Sequence, residues 1–368
     1  MKIDLKDVTY PVNFEVNQIS FTIEELLSNN DQMIVVIDEG IYESVASFYP
    51  VIKELPSDQL FFLPARKESK TVFTLMKILS HLEKLNFARS GTIIAIGGGV
   101  IGDICGLAAS LWYRGCNLIH VPTTLLAAVD SCLGGKTAIN FGNTINALGS
   151  YYHPNQIIIC DQILRQLPDR ELSSGMAEVI KYTVIGNPTL YRLISKNSLS
   201  TLRDDKLLGE IVKLSLIQKS DFVSGDIKES GKRLFLNLGH TIGHAIEINS
   251  IYDGKEQLRH GEGVALGLVA IANISHRLQK LSEEGLHRIY KLLSLYELPT
   301  SLTPSAQYAF NVDELIEKCT LAAFRDKKRT KSQLRLILPV GKGDVCEMYE
   351  TSSRELIKHG VSSVIRPN

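Results

Sequence analysis

A glycine-rich turn that follows a strongly apolar segment constrains this chain more than any other feature. The sequence TIIAIGGGVIGDICGLAASLWY starts at Thr92 and places Gly97, Gly99 and Gly102 in the pattern G-x-G-x-x-G. Between a strand and a helix, such a turn lets backbone N–H groups and the positive helix N-terminus hold a pyrophosphate. The turn therefore indicates a dinucleotide site, and a tight structural turn is the alternative.

The acidic partner of this turn does not stand where the common pattern has it. No acidic residue ends a strand about 20 residues after the turn, where a carboxylate usually binds the ribose. Asp38 ends the apolar segment MIVVID far upstream. We expect Asp38 to bind the ribose instead.

The spacing of apolar segments indicates the fold. Short segments rich in β-branched residues occupy residues 33–37, 60–63, 92–96, 117–121 and 156–160, with amphipathic stretches between them. This alternation is typical of a parallel sheet with crossover helices. After Pro168 long helical patterns dominate, and LRLILPV is the one later strand-like segment. We predict an α/β protein with a Rossmann-like N-terminal domain (residues 1–167) and a mostly α-helical C-terminal domain (residues 168–368).

Composition excludes several classes of partner. Forty basic and forty acidic side chains give a formal net charge of zero, so no global field attracts nucleic acid or an anionic membrane. The N-terminus lacks the pattern of a secretion signal, and the longest apolar segment, VALGLVAIA, is too short to cross a bilayer. Six widely spaced cysteines without a C-x-x-C pair indicate reduced thiols. These features predict a cytoplasmic protein.

Three of the nine histidines lie close together in the sequence. His240 and His244 are four residues apart in NLGHTIGHAIE, so a helix would place both on one face, and His260 opens the next apolar segment. Glu178 is a carboxylate among apolar neighbours, which needs a cation or a proton. Three of these four side chains could form a catalytic metal site, and spacing leaves open which three. Helix-packing or surface histidines are the alternative, and Thr241 replaces the glutamate of the metalloprotease pattern H-E-x-x-H.

Cationic side chains recur near the same motifs. They are Arg114, Lys136 in the turn after Gly134 and Gly135, Lys181, Lys219 and Arg233. Each alone is typical of a solvated surface. Together they indicate an anionic substrate, such as a phosphorylated small molecule, because a phosphate group carries about −1.5 to −2 charges near neutral pH.

Six motifs together resemble one enzyme family. GGGVIGD, RGCNLIHVPTTLLAAVDSCLGGKTAIN, GMAEVIK, LFLNLGHTIGHAIE, HGEGVALG and DKK…LRLILPV occur in this order between residues 30 and 345. In sequence and separation they are similar to the 3-dehydroquinate synthases, carbon–oxygen lyases of the sugar-phosphate cyclase superfamily that act in the shikimate pathway of aromatic amino acid biosynthesis. The resemblance implies tightly bound NAD, one divalent metal ion (zinc or cobalt), a sugar-phosphate substrate and a homodimer.

The resemblance also implies roles for individual residues. The metal ligands would be Glu178, His240 and His260, which frees His244 for proton transfer and substrate contact. The other positions that match substrate-contacting or catalytic residues are Arg114, which would reach the partner subunit's site, Asp130, Lys136, Asn146, Lys181, Lys219, Glu229, Arg233, Asn237, and Lys327 or Lys328. The positions that match NAD contacts are Asp38, Lys70, Gly98, Gly99, Val100, Asp103, Thr123, Thr124 and Leu126.

The implied reaction is an internal redox cycle. In the family, 3-deoxy-arabino-heptulosonate 7-phosphate binds as a cyclic hemiketal and is oxidised at C5 by NAD, which makes the C6 proton acidic. Phosphate leaves by β-elimination, NADH returns the hydride, the ring opens, and an enol closes the carbocycle of 3-dehydroquinate. NAD is therefore regenerated in every turnover.

Three positions depart from the family pattern. Ile145 stands where a lysine usually precedes the asparagine, Lys67 where a glutamate usually precedes Lys70 by three residues, and Gln166 where a threonine is common. All three positions fall on the NAD side. One interpretation is that the protein is a paralogue that serves a secondary pathway.

Alternatives to the leading prediction are a related sugar-phosphate cyclase of secondary metabolism, an NAD- and metal-dependent polyol dehydrogenase, and a non-catalytic nucleotide-binding regulator. The intact Gly134-Gly135-Lys136 turn, Leu236-Asn237 and His244 favour 3-dehydroquinate synthase activity.

Overall fold

The computed structural model describes residues 1–14, 17–29, 31–142, 144–249, 251–252, 256–302, 312–324 and 333–365. The elements up to residue 165 are β1 (Lys2–Asp4), β2 (Thr9–Asn13), α1 (Gln18–Ser28), β3 (Met33–Asp38), α2 (Tyr42–Phe48), β4 (Leu60–Leu63), α3 (Val72–Lys84), β5 (Thr92–Gly97), α4 (Gly99–Leu111), β6 (Asn117–Pro122), β7 (Lys136–Phe141), β8 (Thr144–Tyr151), β9 (Gln156–Ile158) and α5 (Asp161–Arg165). The elements that follow are α6 (Asp169–Val184), α7 (Pro188–Ile194), α8 (Asp205–Val223), α9 (His240–Asn249), β10 (Ile251–Tyr252), β11 (Glu256–Gln257), α10 (His260–Arg277), α11 (Glu283–Leu295), α12 (Val312–Ala323), β12 (Leu334–Val340), β13 (Val345–Thr351) and α13 (Arg354–Val364).

The described chain divides into two compact units. The first contains Met1–Pro168 and Arg203–Lys228, and the second contains Asp169–Leu202 and Glu229–Asn368. Helix α8 therefore belongs to the first unit. The limits 1–167 and 168–368 stay a prediction. No helix among the described residues is both long and apolar enough to cross a membrane.

A seven-stranded sheet forms the centre of the first unit. Its strand order is β1-β2-β9-β6-β5-β3-β4, and every pair is parallel except β1–β2. All five strand-like segments predicted before residue 165 are strands of this sheet. This confirms the predicted α/β class with a Rossmann-like first part.

Both faces of this sheet are covered, which explains why its strands are apolar at nearly every position. On β3, Ile34 and Val36 belong to a core that includes residues of α3 and α4. The intervening Val35 and Ile37 belong to a second core that includes residues of α1 and α2. Because successive side chains of a strand point to opposite faces, a strand with two covered faces needs a continuous apolar segment.

Helices dominate the second unit. It contains α6, α7, α9 to α13 and the antiparallel pairs β10–β11 and β12–β13. The mostly α-helical character predicted after Pro168 is thereby confirmed, and LRLILPV is strand β12.

Glycines bring α6, α9 and α10 into close contact. A Cβ atom added to Gly267 of α10 would lie 1.9 Å from the carbonyl oxygen of Gly239, and one added to Gly243 of α9 would lie 2.6 Å from that of Gly263. A Cβ atom on Gly261 would lie 1.9 Å from the carbonyl oxygen of Ser174 on α6. Backbones this close leave no room for side chains, so the first turns of α9 and α10 are held at a fixed separation.

We expect Gly267→Ala to destabilise the protein by about 3 kcal/mol, because overpacking a close backbone contact typically costs 1 to 3 kcal/mol. Gly209→Ala in α8 is the matched control, since nothing lies within 4 Å of its added Cβ atom. The control should gain about 0.5 to 1 kcal/mol from helix propensity. Urea unfolding followed by circular dichroism measures both changes. Equal midpoints for the two variants would refute the close contact.

Candidate active site

Four side chains of the second unit meet where α6, α9 and α10 pack together. Glu178 lies on α6, His240 and His244 on the first two turns of α9, and His260 is the first residue of α10. The Oε1 atom of Glu178 lies 3.3 Å from Nε2 of His240 and 3.5 Å from Nε2 of His260. The three imidazole rings lie 5.3 to 5.5 Å apart between centroids. The predicted metal constellation therefore comes together in the fold.

The buried Glu178 carboxylate has a cationic partner, Lys181, and its other oxygen faces two imidazoles. Its side chain is 1 % exposed, and neither oxygen accepts a hydrogen bond of good geometry from a described residue. Lys181, one turn along α6, forms an ion pair with Oε2. Because Oε1 faces two imidazole nitrogens, a divalent cation bound by these three groups would satisfy the buried charge.

Hydrogen bonds fix the orientation of both imidazoles. The Nδ1 atom of His240 lies 3.0 Å from the carbonyl oxygen of Leu238, which accepts only when Nδ1 carries the proton. The Nδ1 atom of His260 lies 3.1 Å from Oε2 of Glu247. In both residues Nε2 is thereby the nitrogen that faces Glu178, the orientation that metal-binding histidines require.

The surrounding charges shift the pKa values of this cluster. Burial acts to raise the pKa of Glu178, but Lys181 and the two histidines hold it well below its usual range. Burial would lower the pKa of His260, but the carboxylates of Glu178 and Glu247 raise the pKa to about 10. Burial lowers the pKa of His240, with Glu178 opposing it. The site therefore keeps an ionised carboxylate beside a positive charge.

The geometry allows two ligand sets. One nitrogen from each of His240, His244 and His260 can be chosen so that all three lie within 4.8 Å of one another. Glu178 contacts the ring nitrogens of His240 and His260. The set of Glu178, His240 and His260 stays a prediction, and His244 is the fourth candidate.

The predicted nucleotide-contacting residues lie along one edge of the parallel sheet. Asp38 ends β3, the glycine turn follows β5, and Thr123 follows β6. These three strands are neighbours in the sheet, so their carboxyl ends lie side by side. This edge is where doubly wound proteins bind nucleotides. Asp38, distant in sequence, is therefore next to the glycine turn in the fold.

The glycine turn leaves little room for side chains where it leads into α4. Gly98 is extended and precedes the first residue of α4, a helix of 13 residues. A Cβ atom added to Gly98 would lie 3.2 Å from Thr124, and one added to Gly99 would lie 3.2 Å from Ser131. Glycine at both positions avoids these contacts, and the N–H groups of the first turn of a helix lack intrahelical acceptors and can bind a phosphate. Val100, the second residue of α4, and Leu126 are also predicted NAD contacts. Both side chains are half-buried.

Lys70, Asp103 and Asn146 form a second polar cluster in the first unit. The Lys70 ammonium group donates to the carboxylate of Asp103 on α4 and to Oδ1 of Asn146 on β8. Asn146 has a left-handed backbone with φ of 52°, and its N–H donates to Asn140 at 3.0 Å. The structure thus joins two predicted NAD contacts and one predicted substrate contact.

The remaining predicted substrate contacts form two separate pairs. Lys219 on α8 lies 3.0 Å from Oδ1 of Asp130 and also donates to the Asp130 main-chain carbonyl group, within the first unit. In the second unit, Nδ2 of Asn237 donates to Oε1 of Glu229 at 2.6 Å, just before α9. Arg233 lies between Glu229 and Asn237 in the sequence and is 1 % exposed.

The other predicted cations occupy exposed turns. Lys136 is exposed at the start of β7, directly after Gly134 and Gly135, whose φ values of 100° and 69° favour glycine. Arg114 is exposed and has a φ of 65°. The predictions for Lys327 and Lys328 lie outside the described residues.

The three departures from the family pattern have unrelated surroundings. Ile145 is half-exposed beside Asn146 on β8, Lys67 lies in the turn before Lys70, and Gln166 accepts a hydrogen bond from Ser44 at 3.1 Å. Their effect on NAD binding stays a prediction.

Sequence reasoning missed two supporting residues. Glu247 hydrogen-bonds His260, and Ser174 accepts the N–H of Gly261 at 3.2 Å. Glu247 lies seven residues after His240 and so two helical turns along the same face of α9, a spacing that could have identified it.

The fold is that of the NAD- and metal-binding cyclases among solved structures. A 2-deoxy-scyllo-inosose synthase complexed with carbaglucose-6-phosphate, NAD⁺ and Co²⁺ is 28 % identical with a TM-score of 0.83, and the match covers 98 % of both chains. A 2-epi-5-epi-valiolone synthase from Streptomyces hygroscopicus with NAD⁺ and Zn²⁺ bound is 22 % identical with a TM-score of 0.81 over 97 % of both chains.

Sequence similarity identifies the family. Residues 60–174 match the family 3-dehydroquinate synthase N-terminal, and residues 175–329 match 3-dehydroquinate synthase C-terminal. A 3-dehydroquinate synthase of Dictyoglomus thermophilum is 34 % identical over 361 residues, which is 97 % of this chain and 96 % of the relative. The chain belongs to the 3-dehydroquinate synthase family.

Proposed function

We propose that this protein is a 3-dehydroquinate synthase. It converts 3-deoxy-arabino-heptulosonate 7-phosphate into 3-dehydroquinate and phosphate in the shikimate pathway, with catalytic NAD and one divalent metal ion, zinc or cobalt. The observation that carries the proposal is the buried Glu178 carboxylate that faces His240 and His260 at 3.3 and 3.5 Å in a chain of this family.

The chain supplies a set of binding residues for each cofactor. Glu178, His240 and His260 would hold the metal ion, and the turn at Gly98 and Gly99 with Asp38 would hold the nucleotide. When bound, NAD takes up a hydride from the substrate and returns it, and the metal ion stabilises negative charge on a substrate oxygen.

His244 is the group best placed to move a proton. It lies one turn beyond His240 on α9, and its ring is 5.3 Å from that of His240 and 5.4 Å from that of His260. Histidine is the side chain whose ordinary pKa lies closest to neutral pH. We assign it proton transfer with the substrate and leave metal binding to the other three residues.

Cationic and amide side chains orient the substrate. Lys181, Lys219 and Arg233 are buried, so their charges act on an anion more strongly than surface charges do. Asp130 holds Lys219 in place, and Glu229 holds Asn237. Fixing a carboxylate and several hydroxyl groups orients the reacting atoms for elimination and ring closure.

A comparison of two sugar phosphates tests the proposed substrate. Purified protein with NAD and Zn²⁺ should release phosphate from the heptulosonate phosphate and not from glucose 6-phosphate, whose carba-analogue is bound by the inosose synthase. Phosphate release from glucose 6-phosphate alone would replace this proposal by the related-cyclase alternative.

We also propose a homodimer. Apolar side chains that are 42 to 61 % exposed surround the end of α4 and the β7–β8 hairpin, namely Leu111, Tyr113, Phe141, Leu148 and Tyr151. A hydrogen bond of 2.9 Å between Ser110 and Ser150 joins these two elements, and Arg114 lies beside Tyr113. Clustered exposed apolar groups are typical of protein interfaces. Sedimentation should give a dimer mass that Leu148→Asp reduces to that of a monomer.

The cysteines support a cytoplasmic location. All six lie within the described residues, and none forms a disulfide. Five of them are buried, and unpaired, buried thiols are typical of a reducing compartment.

A further inference from the structure

Glu247 contacts the proposed metal site without being one of its ligands. Its Oε2 atom lies 3.1 Å from Nδ1 of His260, while Nε2 of the same ring faces Glu178. The Glu247 side chain is 11 % exposed and that of His260 is 30 % exposed, so the pair is partly shielded from solvent. A carboxylate that accepts from one ring nitrogen leaves the other nitrogen facing the site, where a metal ion would take the place of its proton.

The two imidazoles are oriented by different kinds of partner. The ring of His240 donates to a main-chain carbonyl group, that of Leu238, which no substitution removes. The ring of His260 depends on a side chain from the neighbouring helix. The orientation of the His260 ring can therefore be tested by substituting Glu247.

The packing of α9 on α10 holds the Glu247 side chain in place. A Cβ atom added to Gly263 would lie 3.2 Å from Cβ of Glu247 and 3.4 Å from its Oε2. The same atom would lie 3.3 Å from the carbonyl oxygen of Gly243. The absence of a side chain at position 263 therefore leaves room for the Glu247 side chain to lie along α10 and reach His260.

We propose that Glu247 is a positioning residue for the metal ligand His260. It accepts the Nδ1 proton, fixes the ring so that Nε2 points to the site, and makes the imidazole a stronger ligand through its negative charge. One helix, α9, thus carries a ligand, the proposed proton-transfer residue and the carboxylate that aligns the ligand on the next helix. The inference rests on the proposed metal site.

Zinc affinity tests this role without reference to turnover. Parent protein, Glu247→Ala, Glu247→Gln and Glu283→Ala are titrated with Zn²⁺ in chelator-buffered solution. Glu283 is the matched control, because it lies 3.4 Å from Nε2 of His276 and is 83 % exposed, far along the chain from the ligands. Losing a partner of a metal ligand typically weakens metal binding 10- to 100-fold. We expect that loss for Glu247→Ala, a smaller one for Glu247→Gln, and none for Glu283→Ala.

The graded response of Glu247→Gln distinguishes positioning from general support of the fold. Its amide oxygen still accepts from Nδ1 but carries no charge, so it should restore part of the affinity. The absorption spectrum of bound Co²⁺ should change in Glu247→Ala and stay that of the parent in Glu283→Ala. If Glu247→Ala does not fold, the titration of Glu247→Gln decides.

The outcomes separate this inference from the proposed function. Parent-like zinc affinity in Glu247→Ala, or in Glu247→Gln if the alanine variant does not fold, overturns the positioning role and leaves the metal site standing. Equal weakening in Glu283→Ala also overturns it. A parent protein that binds neither Zn²⁺ nor Co²⁺ removes the proposed metal site itself.

Discussion

Replacing His260 by alanine is expected to leave a folded protein without bound divalent metal and with activity lowered by about 10³-fold or more. A catalytic metal ion supplies several kcal/mol of stabilisation to developing charge, and each 1.36 kcal/mol corresponds to a factor of ten in rate. The substitution also removes a contact of the buried Glu178 oxygen. Metal content is measured by elemental analysis after dialysis, and activity by phosphate release.

His276→Ala is the matched control for this experiment. His276 lies near the other end of the same helix, where its Nδ1 atom is 2.9 Å from the carbonyl oxygen of Leu281. This variant should keep its metal and its activity. Unchanged metal content in His260→Ala would show that His260 is not a ligand.

His244→Asn should retain the metal and lose activity by about 10²- to 10⁴-fold, the usual contribution of a positioned proton-transfer group. Asparagine approximates the size of the imidazole and removes its titratable nitrogen. The loss should fall on kcat. The same metal analysis and phosphate assay serve for this variant.

Metal analysis of this variant also decides between the two ligand sets. Loss of metal from His244→Asn, together with retention in Glu178→Gln, would favour three histidine ligands over the proposed set. The reverse pattern supports Glu178, whose oxygen lies within 3.5 Å of the ring nitrogens of His240 and His260.

The central strands were predictable because burial on both faces of the sheet produces a simple sequence pattern. A strand with both faces covered is apolar throughout, and β3, β5 and β6 have that pattern. The β7–β8 hairpin was not predicted, because β8 is exposed or half-buried along its whole length and so carries no apolar alternation. The short strands β1 and β2 were also missed, since three and five residues give too little periodicity.

The sequence predicted which residues form the site better than it predicted how they are arranged in space. Helix spacing placed His240 and His244 on one face, and the rings indeed lie 5.3 Å apart. Spacing could not place Glu178, 62 residues before His240, beside it, because that contact depends on how α6 packs on α9 and α10. Spacing could have placed Glu247 on the same face of α9 as His240, but not its contact with His260, which lies on another helix.

Catalysis with less NAD than substrate tests the central claim most directly. Protein loaded with Zn²⁺ receives the heptulosonate phosphate in large excess over NAD, while phosphate release and NADH absorbance are followed together. The account predicts many equivalents of phosphate per NAD with no accumulation of NADH. Stoichiometric NADH formation would identify a dehydrogenase instead, and absence of phosphate release with metal and NAD present would contradict the proposed activity.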